Sequence, residues 1–232
     1  TANECKYLLG REVTHITPNG FENDFVWEGK ELEAKRKEAR KAMIDVAEAC
    51  LQHKFEKEPL IVATSGRYEF RNKGLDVFME SLKRLASFNL DREILAYVMV
   101  PAANNGARAD LVRHMEDATQ PIDEKQWKHS THYLENTEWD SIARSISGSV
   151  LESATSNVKV IFVPSYLNGN DGVFNKSYYE LLVGVDVTAF PSYYEPWGYT
   201  PLESLAFRVP TLTTTLAGFG LWVRTHYGKQ HP

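Results

Sequence analysis

Short runs that are apolar on both faces recur along this chain, each bounded by charged or turn-forming residues. LIVATS (Leu60 to Ser65), ILAYVMV (Ile94 to Val100), VKVIFV (Val158 to Val163) and DVTAF (Asp186 to Phe190) are the clearest, and VTHIT (Val13 to Thr17) and TLTTT (Thr211 to Thr215) extend the series. A strand with one wet face alternates apolar and polar residues, so runs of this kind suit a parallel sheet covered on both sides. Helical patterns stand between them. Glu31 to Lys54 is rich in Ala, Glu, Lys and Arg, all good helix formers. Leu75 to Ser87 places Leu75, Phe78, Met79, Leu82 and Leu85 on one helical face. Tyr178 to Val183 and Thr200 to Phe207 read as shorter helices, the second with Pro201 in its first turn. Strands alternating with helices imply right-handed βαβ units, and so an α/β fold built on a Rossmann-like, doubly wound parallel sheet.

The stretch from 101 to 148 breaks this alternation. It is rich in charge and reads as two or three helices with exposed faces, a helical excursion from the sheet. Asn104, Asn105 and Gly106 give a turn signal directly after a strand. His129 and His132, near Glu135, have a helical spacing that could pair on a metal, but no third ligand is evident, and a solvated helix face is the expectation. His226 and His231 fall in an expected flexible tail.

The 232 residues, 43% of them hydrophobic, suffice for one large domain or one domain with extensions. The chain opens at Thr1 on what reads as a connecting segment, which suggests a fragment of a longer protein. The expected division is a connecting segment and first strand over 1–22, a Rossmann-like domain over 23–220 and a tail over 221–232. A net charge of −5 with no basic block argues against a broad nucleic-acid surface and leaves room for a local anion site. No apolar run approaches the roughly 20 residues that span a bilayer, so no membrane partner is expected. Cys5 and Cys50 form no metal-type spacing, and a reducing cytoplasm is the expected compartment.

Two strand-to-helix connections carry the chemistry. FPSYYEPWGYTPLE (Phe190 to Glu203) joins a strand end to a helix start and holds Glu195, Trp197, Gly198, Tyr199, Thr200 and Glu203. Ligands of open α/β sheets bind at such carboxyl ends, and the free N–H groups of a helix start favour an anion. TSGRYEFRNKGLDVF (Thr64 to Phe78) has Gly66 for a tight turn, Arg67 as a planar fork of donors and Lys73 as a mobile point charge. Arg67 and Lys73 could converge on a diphosphate, or could merely pair with Glu69 and Asp76. The phosphate-loop pattern GxxxxGK[ST] is absent. Glu195 and Glu203 could be a glycosidase-like carboxylate pair, or Glu203 could satisfy backbone and hydroxyl donors from within its helix. Tyr178, Tyr179, Tyr193, Tyr194, Trp197 and Tyr199 make an aromatic-rich region, of which one or two rings are expected to touch a ligand.

Together these stretches resemble the animal and fungal type of glycogen synthase, found also in some bacteria, a retaining glycosyltransferase of the GT-B fold. ITPNGF, SGRYEFRNKGLDVF, VKVIFVPSYL, YYELLVGVDVTAFPSYYEPWGYTPLE and TTTLAGFG occur in the family's order. The similarity is weakest from Pro101 to Ser156. The resemblance implies a C-terminal GT-B half that binds UDP-glucose and an α-1,4-glucan acceptor, uses no cofactor or metal, and needs an N-terminal domain for activity, with a homo-oligomer open for the full-length protein. By position, Arg67 and Lys73 would grip the donor diphosphate and Tyr178 would stack on uracil. Gly66 would shape the phosphate-side turn, and Tyr166 lies on the segment lining the base pocket. Glu195 would contact the glucosyl hydroxyls, and Trp197, Gly198, Tyr199 and Thr200 would hold the sugar and distal phosphate. Glu203 would take a structural or ribose-side role. The chain departs from the family pattern in having PSYL at Pro164 to Leu167 and Leu202 before Glu203. Another GT-B enzyme, a sucrose-type synthase or a starch-type synthase using ADP-glucose, a phosphorylase, and a non-catalytic nucleotide- or glucan-binding module remain as alternatives.

Overall fold

The computed structural model describes residues 2–228. In chain order the elements are α1 (Ala2–Leu9), α2 (Gly29–Leu51), β1 (Leu60–Ser65), α3 (Leu75–Leu85), β2 (Ile94–Met99), β3 (Asn104–Ala107), α4 (Ala109–Glu116), β4 (His132–Leu134) and α5 (Ser141–Ile146). A 3-10 turn over Val150–Glu152 follows, then β5 (Val158–Val163), α6 (Tyr178–Leu182), β6 (Val187–Phe190), α7 (Tyr199–Ala206), β7 (Thr211–Thr213) and α8 (Gly218–Tyr227).

The sheet order is β5-β2-β1-β6-β7, and every pairing is parallel. Side chains of successive strand residues point to opposite faces, and here both faces are buried. Ile61, Ala63, Leu95, Tyr97, Ile161 and Val163 enter one core with α2 and α6. Val62, Ile94, Ala96, Val98, Val160 and Phe162 enter the other with α3 and α5. Helices therefore cover both sides of the sheet, and the doubly wound expectation is met. The chain winds outward from β1 to β2 to β5, then returns to β6 on the other side of β1. The winding direction reverses between β1 and β6.

Four readings of the sequence are corrected. Val13 to Thr17 is not a strand: its residues are all exposed and pair with nothing in the sheet, so β-branched alternation there lacked a partner. An eight-residue helix, α1, precedes it with no buried residue. The region 101–148 holds two short helices and an antiparallel ribbon of β3 with β4. The Asn104–Gly106 turn signal lies inside β3, where the register shifts between Asn104 and Ala107. His129 and His132 are on no solvated helix face. Both are buried, because the segment 129–131 lies along the free edge of β5. Phe162 donates to the His129 carbonyl at 2.7 Å, and Thr131 donates to the Phe162 carbonyl at 3.1 Å. An edge strand exposes unpaired backbone groups, and this excursion covers them. Buried Arg108 anchors it, forking onto Asp110 at 2.6 and 3.2 Å and reaching the carbonyls of Trp127 and Ser130. His226 belongs to α8, its ring 4.7 Å from that of Trp222, whereas His231 lies outside the described residues.

Candidate functional site

At the reversal point the connections after β1 and β6 leave the sheet side by side. They are joined directly: the Tyr193 N–H donates to the Asn72 carbonyl at 2.9 Å. Gly74, with φ +67°, caps α3 so close to the other connection that a β-carbon would collide with the Pro191 carbonyl. Only glycine suits both the left-handed backbone and the gap. The Thr214 hydroxyl donates to the Ser192 carbonyl at 2.7 Å, and Gly218 and Phe219 donate to the carbonyls of Glu195 and Trp197 at 3.0 and 2.7 Å. The FPSYYEPWGYTP segment is thus clamped between the GRYEFRNKG turn and the start of α8.

A cleft of about 410 Å³ opens over these carboxyl ends. It gathers Gly66, Arg67, Tyr166, Tyr178, Thr200 and Glu203, six of the residues named from sequence. Tyr178 stands at the first position of α6, which a reciprocal cap starts: the Ser177 hydroxyl accepts from the Glu180 N–H, and the Glu180 carboxylate accepts from the Ser177 N–H. Its hydroxyl shares a 2.8 Å hydrogen bond with Ser65, and burial pushes the phenol well above its usual range. Tyr166 is exposed at the rim. The Arg67 side chain is largely exposed and pairs with Glu69 at 3.1 Å, the local pairing that its spacing had left open. Glu203 projects from α7, and burial raises its carboxyl above the usual carboxylate range.

Lys73 and Glu195, one from each connection, are in direct ion-pair contact, with side-chain exposures of 16% and 20%. Lys73 therefore does not pair with Asp76. Burial, and then the neighbouring Arg67 guanidinium, push the Lys73 ammonium below its usual range. Gly198, with φ +102°, is the N-cap residue of α7 and supplies no side-chain acceptor to its free N–H groups. Tyr199 is half-exposed beside it. Trp197 goes elsewhere: its indole packs 5.8 Å from Phe219 and 6.5 Å from Trp222 and lines a separate cleft with Phe21 and Leu202. Only its backbone is left to the loop. Among the described residues no group of three or more His, Cys, Asp or Glu is placed to hold a metal ion, and no helix is long and apolar enough to cross a membrane.

Sequence reasoning missed Ser65, Tyr68, Met99 and Asn168, which also line the cleft. Ser65 and Met99 are the last residues of β1 and β2; the rule that ligands lie at strand carboxyl ends could have found them. Tyr68 was hidden because its role is shared, its hydroxyl donating to Asp140 at 2.7 Å at the cap of α5.

The sequence matches the glycogen synthase family over residues 1–126 and 127–231. The chain belongs to the glycogen synthase family. Glycogen [starch] synthase isoform 1 of Saccharomyces cerevisiae is 27% identical over 289 residues, covering 96% of this chain and 40% of that protein. The liver glycogen [starch] synthase of Homo sapiens is 28% identical over 282 residues, covering 97% and 40%. That of Neurospora crassa is 27% identical over 281 residues, with 96% and 40% covered. The chain spans about 40% of the length of these relatives. The parallel sheet and its reversal point agree with the α/β architecture expected of this family.

Proposed function

We propose that this chain is the nucleotide-sugar-binding half of a glycogen-synthesising glucosyltransferase. It would take UDP-glucose and pass glucose, with retention, to the 4-hydroxyl of an α-1,4-glucan. The observation that carries the reading is the cleft at the reversal point, where Arg67, Tyr178, Thr200 and Glu203 converge. In this reading the Tyr178 ring supports uracil, with the Tyr166 segment beside it, and Glu203 accepts from the ribose hydroxyls. Gly66, Arg67, Lys73 and the free N–H groups at Gly198, Tyr199 and Thr200 face the diphosphate, and Glu195 accepts from the sugar hydroxyls. Charge grows on the diphosphate as the glycosidic bond breaks. Preorganised donors and cations aimed at that charge lower the barrier most. These groups answer that charge without a metal, and the leaving phosphate itself takes the acceptor's proton. Lys73 is held by Glu195 until phosphate oxygens compete for it, so the sugar-binding carboxylate and the phosphate-binding ammonium are set by one contact. An N-terminal domain is proposed to close over the cleft and bring the acceptor. A cytoplasmic setting suits the two free cysteines.

Calorimetry on this chain with UDP, UDP-glucose and ADP tests the reading. UDP and UDP-glucose are expected to bind weakly, ADP more weakly still, and a chelator is expected to change nothing. No glucan is expected from the chain alone. Absence of UDP binding at millimolar concentration removes the donor site, tighter ADP binding changes the donor, and glucan synthesis by residues 1–232 alone refutes the two-domain part.

A further inference from the structure

Glu203 is held in its cleft by a residue that does not itself line that cleft. The Tyr179 hydroxyl donates to Glu203 Oε1 at 3.1 Å. The Tyr179 ring is stacked on Phe207, with centroids 4.9 Å apart and planes 18° apart, and packs against Phe25 at 5.3 Å. Phe207 is fully buried, and Phe25 comes from the segment between α1 and α2, more than 150 residues away in sequence. Stacked rings with a hydroxyl at one end give a phenol one orientation.

We propose that Tyr179 is a positioning residue: its hydroxyl holds the Glu203 carboxylate turned into the cleft, and packing against Phe207 and Phe25 fixes Tyr179 in turn. The proposal rests on the reading above, in which Glu203 receives the ribose hydroxyls. An ionised carboxylate is acceptor-only and matches a diol that donates twice, whereas a protonated one presents a donor in the wrong place. Burial favours the protonated form, and a hydroxyl donating to the charged form opposes it. Burial raises the Glu203 carboxyl, and the Tyr179 hydroxyl pulls it back down. The other ionisable groups facing the cleft do not take over this task. Tyr178, from α6, is bonded to Ser65, and Tyr68 to Asp140. Arg67 is drawn outward to Glu69, and Tyr166 stands at the exposed rim. Tyr179 remains a donor throughout, since burial and the Glu203 charge push its phenol up to about 12.

The test is a carboxyl ¹³C NMR titration of Glu203 in the wild-type chain, Tyr179→Phe and Phe25→Leu, with UDP calorimetry between pH 5 and 8. Tyr179→Phe keeps the ring stack and removes one hydroxyl. It should raise the Glu203 midpoint by roughly half a unit to one unit, and Phe25→Leu should shift it less in the same direction. UDP affinity of Tyr179→Phe should match the wild type at pH 8 and fall below it as the pH is lowered, by at most about three- to tenfold once the pH is below both midpoints, the limit that such a shift allows. Adding Tyr179→Phe to Glu203→Gln should cost nothing further. An unchanged midpoint in Tyr179→Phe overturns the proposal, and an unchanged midpoint in Phe25→Leu overturns the role of the ring stack. If the wild type binds no UDP, the donor-site reading fails, and the NMR titration still decides whether Tyr179 governs Glu203.

Discussion

The Lys73–Glu195 contact joins the two connections that build the cleft, so its strength can be measured without any ligand. Each side chain keeps about a fifth of its surface in water. Fully exposed ion pairs contribute about 0–1 kcal/mol, and removing one partner of a fully buried pair costs about 3–5 kcal/mol because the other charge is stranded. With most of both side chains covered, each single replacement, Lys73→Met or Glu195→Gln, should cost about 1–2 kcal/mol, between those limits. The double replacement strands nothing and should cost clearly less than the sum of the two, giving a coupling of about 1 kcal/mol. Urea denaturation of all four proteins at pH 7 yields the cycle directly. The two singles should part when UDP is added. On the proposed reading Lys73→Met loses a charge-assisted contact to the diphosphate and should weaken UDP roughly tenfold. Glu195→Gln frees the ammonium and should leave UDP affinity equal or higher, while damaging glucosyl transfer in a full-length enzyme. A coupling below about 0.3 kcal/mol, within ordinary additivity error, would show that the pair does not link the loops. Equal weakening of UDP by both singles would refute the division of labour between them.

Two further perturbations follow from the geometry. His129 is buried, its Nδ1 2.9 Å from the Val160 carbonyl, and burial depresses its pKa from 6.5 to about 4. The native state therefore binds fewer protons than the unfolded one in that window. Stability is full above pH 6.5 and is lost as pH falls towards 4, by up to ~3 kcal/mol, with buried His132 adding the same sign. His129→Gln should flatten this loss in denaturation measured across that range, and an equally steep loss in the variant would exclude His129 as its source. Gly74→Ala must adopt φ +67° and push Pro191 away, so it should cost at least about 1–3 kcal/mol and weaken UDP binding by separating the two connections. Gly148→Ala has nearly the same φ, +70°, and meets no atom within 4 Å, so equal damage to folding from both would refute the close-approach argument.

The sheet was legible because its strands are apolar on both faces. Ile61 to Ser65, Ile94 to Met99 and Val158 to Val163 are buried whichever way they point, and no other element tolerates so short a run. Val13 to Thr17 shows the limit of that signal, since β-branched residues make a strand only where a neighbour offers a ladder. The excursion was illegible for the opposite reason. His129, Ser130, Thr131 and His132 are polar, yet they are buried at 0–2% exposure by backbone bonds to β5 and by the Arg108–Asp110 pair. Local composition carries no trace of a partner brought in from thirty residues away. In the site, Arg67, Thr200 and Glu203 could be placed together from two strand-to-helix connections, whereas Tyr178, at the start of α6, entered through the family resemblance. Trp197 could not be separated from them, because its direction is decided by Phe219 and Trp222 of α8, beyond the motif.

That contrast bears on why the site segment is so particular in sequence. Residues along FPSYYEPWGYTPLE answer to different neighbours. Pro191 presses on Gly74, Tyr193 binds the Asn72 carbonyl, and Glu195 meets Lys73. Trp197 belongs to α8, Gly198 turns the chain into α7, and Glu203 reaches Tyr179. The connection after β1, the start of α8 and the far side of α6 are thereby set relative to one another by a single stretch of chain. A diphosphate-sized ligand needs its donors fixed to within fractions of an ångström, and loops alone move too much to do this. Here the loops are fastened to each other by backbone bonds and glycine-close contacts on the sheet's own ends. Substitutions that preserve charge but disturb those fastenings, Gly74→Ala above all, should therefore harm binding as much as loss of a ligand-facing side chain, and without changing the pH dependence set at Glu203.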